Sequence, residues 1–204
     1  MHRFILHKEA VLEAEIQTWQ SISWKEKSMM TLQAEKALSA EDFKFAFRGH
    51  PAGVGVVTAD IGEGPVAMTV SSLISVGIEP PTLVFSASGI SSAAPSILKA
   101  KTVVVHLLGA EQLELAKLGA TSGVERFGEK IGWSRLPSGE PYYLNVPSLI
   151  RGRVSRVVPV GGSHLVVVEA LQSNPHGPES AEQIPPLVYH NRSWHALGEQ
   201  SKLQ

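Results

Sequence analysis

The stretch from Pro51 to Pro81 constrains the fold more than any other part of the chain. Val54, Val56 and Val57 form a β-branched run suited to a pleated strand. Asp60-Ile61-Gly62-Glu63-Gly64 follows as a glycine-rich turn, and Val66 to Ile74 resumes the apolar pattern. Two strands are therefore predicted to meet around this turn. Thr69, Ser71 and Ser72 stand at the exit of the second strand. Small hydroxyls beside accessible backbone N–H groups suit a phosphate or a flat heteroaromatic ring. They suit equally an ordinary strand whose hydroxyls bond nearby backbone.

Strands dominate the rest as well. Thr82 to Phe85 and Thr102 to Leu108 read as buried strands, the TVVVHLL run being too continuous for an exposed sheet. Arg151 to Val160 and His164 to Leu171 alternate and read as an antiparallel pair joined by Gly161-Gly162. Gln172 to Pro186, rich in Pro, Gly and Ser, reads as a loop, and Val188 and Tyr189 begin a last short strand. Helices are predicted at Pro95 to Lys99, with proline in the first turn, and at Glu111 to Leu118. Another is predicted to start at Ser39 to Asp42 and to stop at Gly49. Many strands without βαβ alternation argue for an antiparallel barrel. Residues 1–40 read as a helical extension in two pieces, broken near Ser21-Ile22-Ser23. Val11, Leu12, Ile16 and Trp19 share one apolar face, which either trails loosely or covers a barrel edge or a partner subunit.

Composition removes several function classes. A net charge of −1 leaves no basic face for nucleic acid or acidic lipid. The absence of cysteine excludes disulfides, thiolate catalysis and Cys-ligated metal or iron–sulfur sites. Eight histidines include no HExxH motif and no carboxylate-rich cluster, so no dedicated metal site is expected. Gly53-Val54-Gly55 lacks the third glycine and the following helix of a dinucleotide fingerprint. Lys8, Glu9, Glu13 and Glu15 place charges where a signal peptide would be apolar, and no apolar run is long enough for a membrane helix. A cytoplasmic protein is expected.

Six segments in order carry a more specific signal: 43–59 (FKFAFRGHPAGVGVVTA), 67–86 (AMTVSSLISVGIEPPTLVFS), Ile97 to Leu108, 125–128 (ERFG), 161–171 (GGSHLVVVEAL) and 186–194 (PLVYHNRSW). Together they resemble the flavin reductase-like family over residues 41–198, with residues 199–204 as a tail. The resemblance implies a mainly β fold, a six-stranded antiparallel FMN-binding split barrel with short flanking helices. It also implies FMN, with FAD as an alternative, NADH or NADPH as hydride donor, a homodimer, and a flavin-dependent monooxygenase as partner.

Carried over residue by residue, the family motif assigns Thr69, Val70, Ser71, Ser72 and Leu73 to the flavin ring and ribityl chain. Ser75 and Val76 continue that wall. Ile90, Ser91 and Ser92 match the loop that reaches the phosphate, and Ser96 and Ile97 lie at the following helix start. Arg126 would meet the phosphate and the Phe127 ring would pack on the cofactor; a surface arginine and a core phenylalanine are the alternative. His164 is the candidate catalytic residue, near the nicotinamide. Tyr189 and Arg192 fall where the family closes its barrel, Tyr189 first as core packing.

The sequence departs from the family pattern at Ser163 (aspartate in the family), Ala67 (glycine), Leu73 (phenylalanine) and Gly77 (serine). A serine fixes an imidazole's tautomer more weakly than a carboxylate does. Hydride transfer from nicotinamide to FMN is the leading reading; an electron carrier or sensor without nicotinamide turnover is the alternative.

Overall fold

The hairpin expected around Gly62 forms, and one carboxylate holds its turn. In the computed structural model, which describes residues 23, 37–174 and 184–203, β1 is Ala52–Gly53, β2 is Gly55–Asp60 and β3 is Pro65–Val70. Asp60 Oδ1 accepts the N–H groups of Gly62 at 2.8 Å and Gly64 at 3.2 Å. Both glycines have positive φ, 93° and 105°, a conformation open to them because they lack a Cβ. Burial pushes the Asp60 carboxyl upward. The Arg135 guanidinium at 2.6 Å and the two N–H groups outweigh that and hold it below the usual carboxylate value.

The remaining strands are β4 (Ile74–Ile78), β5 (Pro81–Ser88), β6 (Thr102–Leu107), β7 (Trp133–Arg135), β8 (Pro141–Tyr143), β9 (Ser148–Val160), β10 (Ser163–Ser173), β11 (Leu187–His190) and β12 (Ser193–Ala196). The helices are α1 (Ala40–Arg48), α2 (Ala94–Lys99) and α3 (Leu113–Ala120), the last entered through a 3-10 turn at Ala110–Gln112. The main sheet has the order β3-β2-β6-β9-β10-β5-β4, and all its pairings are antiparallel. β1-β11-β12 and β7-β8 form two smaller sheets. No described helix is long and apolar enough to cross a membrane.

β2 shows why its sequence is a continuous apolar run. Val57 and Ala59 face one core with Phe85, Ile97, Val103, Val105, Val166 and Val168. Val54 and Val56 face a second core with Ala116, Phe127, Tyr143 and Leu187. A strand buried on both faces has no solvent side to alternate toward. His106 on β6 enters the second side, fully buried. Its Nε2 accepts the Tyr143 N–H at 3.0 Å, so Nδ1 carries the proton and donates to the Val56 carbonyl at 2.9 Å. Burial pushes its pKa down to about 4, against the smaller opposing pull of that carbonyl.

The chain divides into two units, Met1–Ala46 and Phe47–Gln204. In the first, Ser39 Oγ accepts the Asp42 N–H at 3.1 Å at the start of α1, as its sequence predicts. Apart from Ser23, the helical readings over residues 1–36 lie outside the described residues, as does most of the expected 172–186 loop. The mainly β antiparallel architecture agrees with expectation, and among the described residues the main sheet has seven strands. β4 folds back onto β5 as an added edge, pairing Ile74 with Val84 and Ser75 with Leu83. Gln172 and Ser173, expected in a loop, extend β10 opposite Arg151 and Ile150.

Candidate functional site

The C-terminal end of β5 gathers residues from three distant segments. Ser72 Oγ accepts the Ser86 N–H at 2.8 Å, tying the exit of β3 to β5 through a side chain. On the other side of β5, Ser163 pairs with Ser88, His164 with Ala87 and Leu165 with Ser86. The Gly89 N–H donates to the Gly162 carbonyl at 3.0 Å. A Cβ on Gly89 would stand 2.8 Å from that oxygen, so the approach needs a residue without a side chain. Ser72, Ile90, Ser91, Ser92 and His164 thus lie around one strand end, although Ser72 and His164 are more than ninety residues apart in the chain, and Ser71 adjoins Ser72. Ser71, Ser72, Ile90 and Ser92 are exposed, while Leu73, Ser91, Ser96 and His164 are half-buried.

Two buried side-chain nitrogens are unpaired among the described residues, and both belong to predicted site residues. They are His164 Nδ1 and Arg126 Nε. A buried polar atom without a partner costs roughly 1–3 kcal/mol, so each is a position where a bound group could form the missing hydrogen bond. Arg126 also donates through Nη2 to the Thr121 carbonyl at 2.6 Å, just past the end of α3. Its backbone carbonyl accepts the Tyr143 hydroxyl at 2.8 Å.

Other predicted residues lie elsewhere. Val70 faces the core between Thr69 and Ser71, as strand alternation requires. Ile97 is fully buried and its N–H already donates to the Ala93 carbonyl at 3.1 Å, so neither its side chain nor its N–H is available to an anion. The Phe127 ring is buried, as the core alternative expects: it stacks on Tyr143 at 5.2 Å with planes 9° apart and meets Trp133 edge-on. Ser75 and Val76 sit on β4 and run away from His164. Ser75 pairs with Leu83, five residues along β5 from Ser88, or roughly 17 Å.

Thr69 is held from behind. Its hydroxyl donates to the Ala116 carbonyl of α3 at 2.7 Å. A Cβ on Gly119 would lie 2.4 Å from Thr69 Oγ1 and 3.1 Å from Thr69 N. Replacing Gly119 with alanine is expected to push α3 off β3 and destabilise the fold by about 2 kcal/mol, a loss readable as a lower urea midpoint. Unchanged stability would mean that the helix does not set the position of Thr69. Beyond α3 lies a cleft of about 200 Å³ lined by Val54, Thr69, Ser71, Ala120, Tyr189 and Trp194. Trp194 and Ala120 were not singled out by sequence reasoning. Trp194 lies within the quoted tail motif, but the register that sets it opposite Tyr189 becomes visible only in the hairpin.

The sequence model described as "Flavin reductase like domain" matches residues 47–198. A relative from Rhodococcus qingshengii named NADH:FMN oxidoreductase is 38% identical over 166 residues, covering 81% of this chain and 85% of its own length. A flavin reductase domain protein from Arthrobacter sp. FB24 superposes with a TM-score of 0.71 at 28% identity, over 78% of this chain and 96% of that one. BorF, the flavin reductase component of a bacterial two-component tryptophan halogenase, gives 0.69 at 25% identity, over 79% and 99%.

Proposed function

The chain belongs to the flavin reductase-like family, and on that premise we propose that it is an NADH:FMN oxidoreductase. The observation that carries the site assignment is the buried, unpaired Nδ1 of His164. It belongs to a strand end that also gathers the exposed Ser72 and the Ser91-Ser92 loop. When bound, the flavin supplies a hydride acceptor for the nicotinamide. The chain's own residues bind and orient the two rings, so the gain comes from proximity and fixed geometry.

In this reading Thr69, Ser71, Ser72 and Leu73 hold the ring system. Ser91, Ser92 and Ser96 face the phosphate end, joined by the Arg126 guanidinium, and backbone N–H groups near Ser72 meet the electron-rich pyrimidine edge. His164 sets the nicotinamide against the flavin. The flavin-binding domain is taken as residues 41–198 in a split barrel, in a cytoplasmic protein.

β4 supports a homodimer. It is an edge strand exposed along its whole length, with Ile74 and Val76 each 60% and Ile78 92% accessible, a surface that monomers rarely leave uncovered. The double change Ile74→Glu and Ile78→Glu is expected to give a monomer by analytical ultracentrifugation. A dimer of unchanged affinity would place the interface elsewhere. Reduced flavin would then pass to a separate flavin-dependent monooxygenase; BorF, in its own system, is the flavin reductase component of a two-component tryptophan halogenase.

Steady-state NADH oxidation tests the activity. Oxidation should appear only on addition of FMN, and parallel assays with FAD and NADPH rank the alternatives. No flavin-dependent oxidation of either nucleotide would overturn the proposal.

A further inference from the structure

We propose that the cleft between α3 and the β11–β12 hairpin is a subsite for the apolar, methyl-bearing end of the flavin ring, with Trp194 as its specificity-determining wall. The inference rests on the flavin reading above and adds the orientation of the ring. The six lining residues include no charged group, so the cleft offers a phosphate no countercharge from its lining side chains. The Thr69 hydroxyl proton is already committed to the Ala116 carbonyl, which leaves the Ser71 hydroxyl as the freer polar group on that wall. Val54, Ala120, Tyr189 and Trp194 make up the rest.

The aromatic pair has the geometry for a flat ligand. Tyr189 and Trp194 are cross-strand partners with centroids 4.8 Å apart and planes at 60°. At that angle neither ring covers the other's face, and both are half-buried, so ring surface remains for a third aromatic group. Polarity then changes along the wall. The apolar cleft lies beside Thr69 and Ser71, and the chain continues from Ser71 to Ser72, which is pinned to Ser86 next to the residues that pair with the His164 segment. The flavin ring has the same gradient, from a dimethylbenzene end to a hydrogen-bonding pyrimidine end. The phosphate is left to the Ser91-Ser92 loop, outside the cleft.

Binding affinity, read by flavin fluorescence without nicotinamide, tests this on the full chain with FMN and its 7,8-didemethyl analogue. The parent should bind FMN roughly tenfold more tightly than the analogue, the worth of two buried methyl groups. Trp194→Ala should bind FMN roughly tenfold more weakly than the parent and lose most of that preference, while Trp194→Phe keeps part of it. Equal affinity of the parent for the two flavins overturns the subsite without need of any variant. So does a folded Trp194→Ala protein that keeps the parent's preference, or one that alters only the KM for NADH. A parent that binds neither flavin is instead a failure of the functional reading itself.

Discussion

Replacing His106 with alanine should lower the unfolding free energy by about 3 kcal/mol. The imidazole is fully buried, donates to the Val56 carbonyl and accepts the Tyr143 N–H. Its removal strands that N–H and leaves a cavity in the second core, and the two costs add. The loss would spread toward the site, because Tyr143 also holds the Arg126 carbonyl and stacks on Phe127.

The same histidine sets an acid limit. Its pKa is about 4 in the folded chain against 6.5 ordinarily, so between those values the unfolded chain binds more protons. Stability is therefore complete above pH 6.5 and falls as the pH drops through 4, by about 3 kcal/mol in all. Glu140 acts lower. Burial pushes its carboxyl up, but hydrogen bonds from Arg151, Ser138 and Thr102 prevail and bring it to about 2 from 4.5, so its contribution is lost below pH 4.5. Urea melts of parent and variant between pH 7.5 and 4 measure the histidine's effect, and melts carried down to about pH 2 reach that of Glu140. A parent whose stability is flat from 6.5 to 4.5 would contradict the neutral, doubly bonded imidazole.

Replacing His164 with alanine should slow hydride transfer about a hundredfold, or about 2.7 kcal/mol of barrier, while raising the FMN dissociation constant only a few-fold. The strand geometry supports this asymmetry. His164 is anchored by backbone pairing to Ala87 and Pro159, so truncating its side chain leaves the Ser72–Ser86 and Gly89–Gly162 ties intact. Stopped-flow reduction compared with a fluorescence titration separates the two effects. Equal hydride-transfer rates in variant and parent would remove His164 from the reaction. An equal loss in rate and affinity would make it a binding residue.

Much of the fold was legible because its signals are local. The Asp60–Gly64 turn, the Gly161-Gly162 hairpin and the Ser39 start of α1 are each specified by a few adjacent residues whose backbone needs are distinctive. β4 was not legible, because a strand exposed on both faces has no inside–outside alternation to read. β7, β8 and β12 span only three or four residues each, too short for a period.

The site divides in a similar way. A motif gives a position along the chain but not the direction of a side chain, so Val70, Ile97 and Phe127 were assigned to the cofactor although their side chains fill the core. Alternation alone could have separated Val70 from Thr69 and Ser71. Phe127 is legible as a core alternative, but its partner Tyr143 comes from a distant strand that only the fold brings to it. The His164 assignment came from the family motif, and its unpaired nitrogen became visible only once β10 lay beside β5.

The central claim is catalytic flavin reduction, and one anaerobic experiment addresses it directly. FMN in large excess over protein is mixed with NADH, and the flavin absorbance band is followed. Many equivalents of FMN per protein chain are expected to bleach. Flavin that binds but is reduced by neither NADH nor NADPH would contradict it and would make the chain a carrier or sensor.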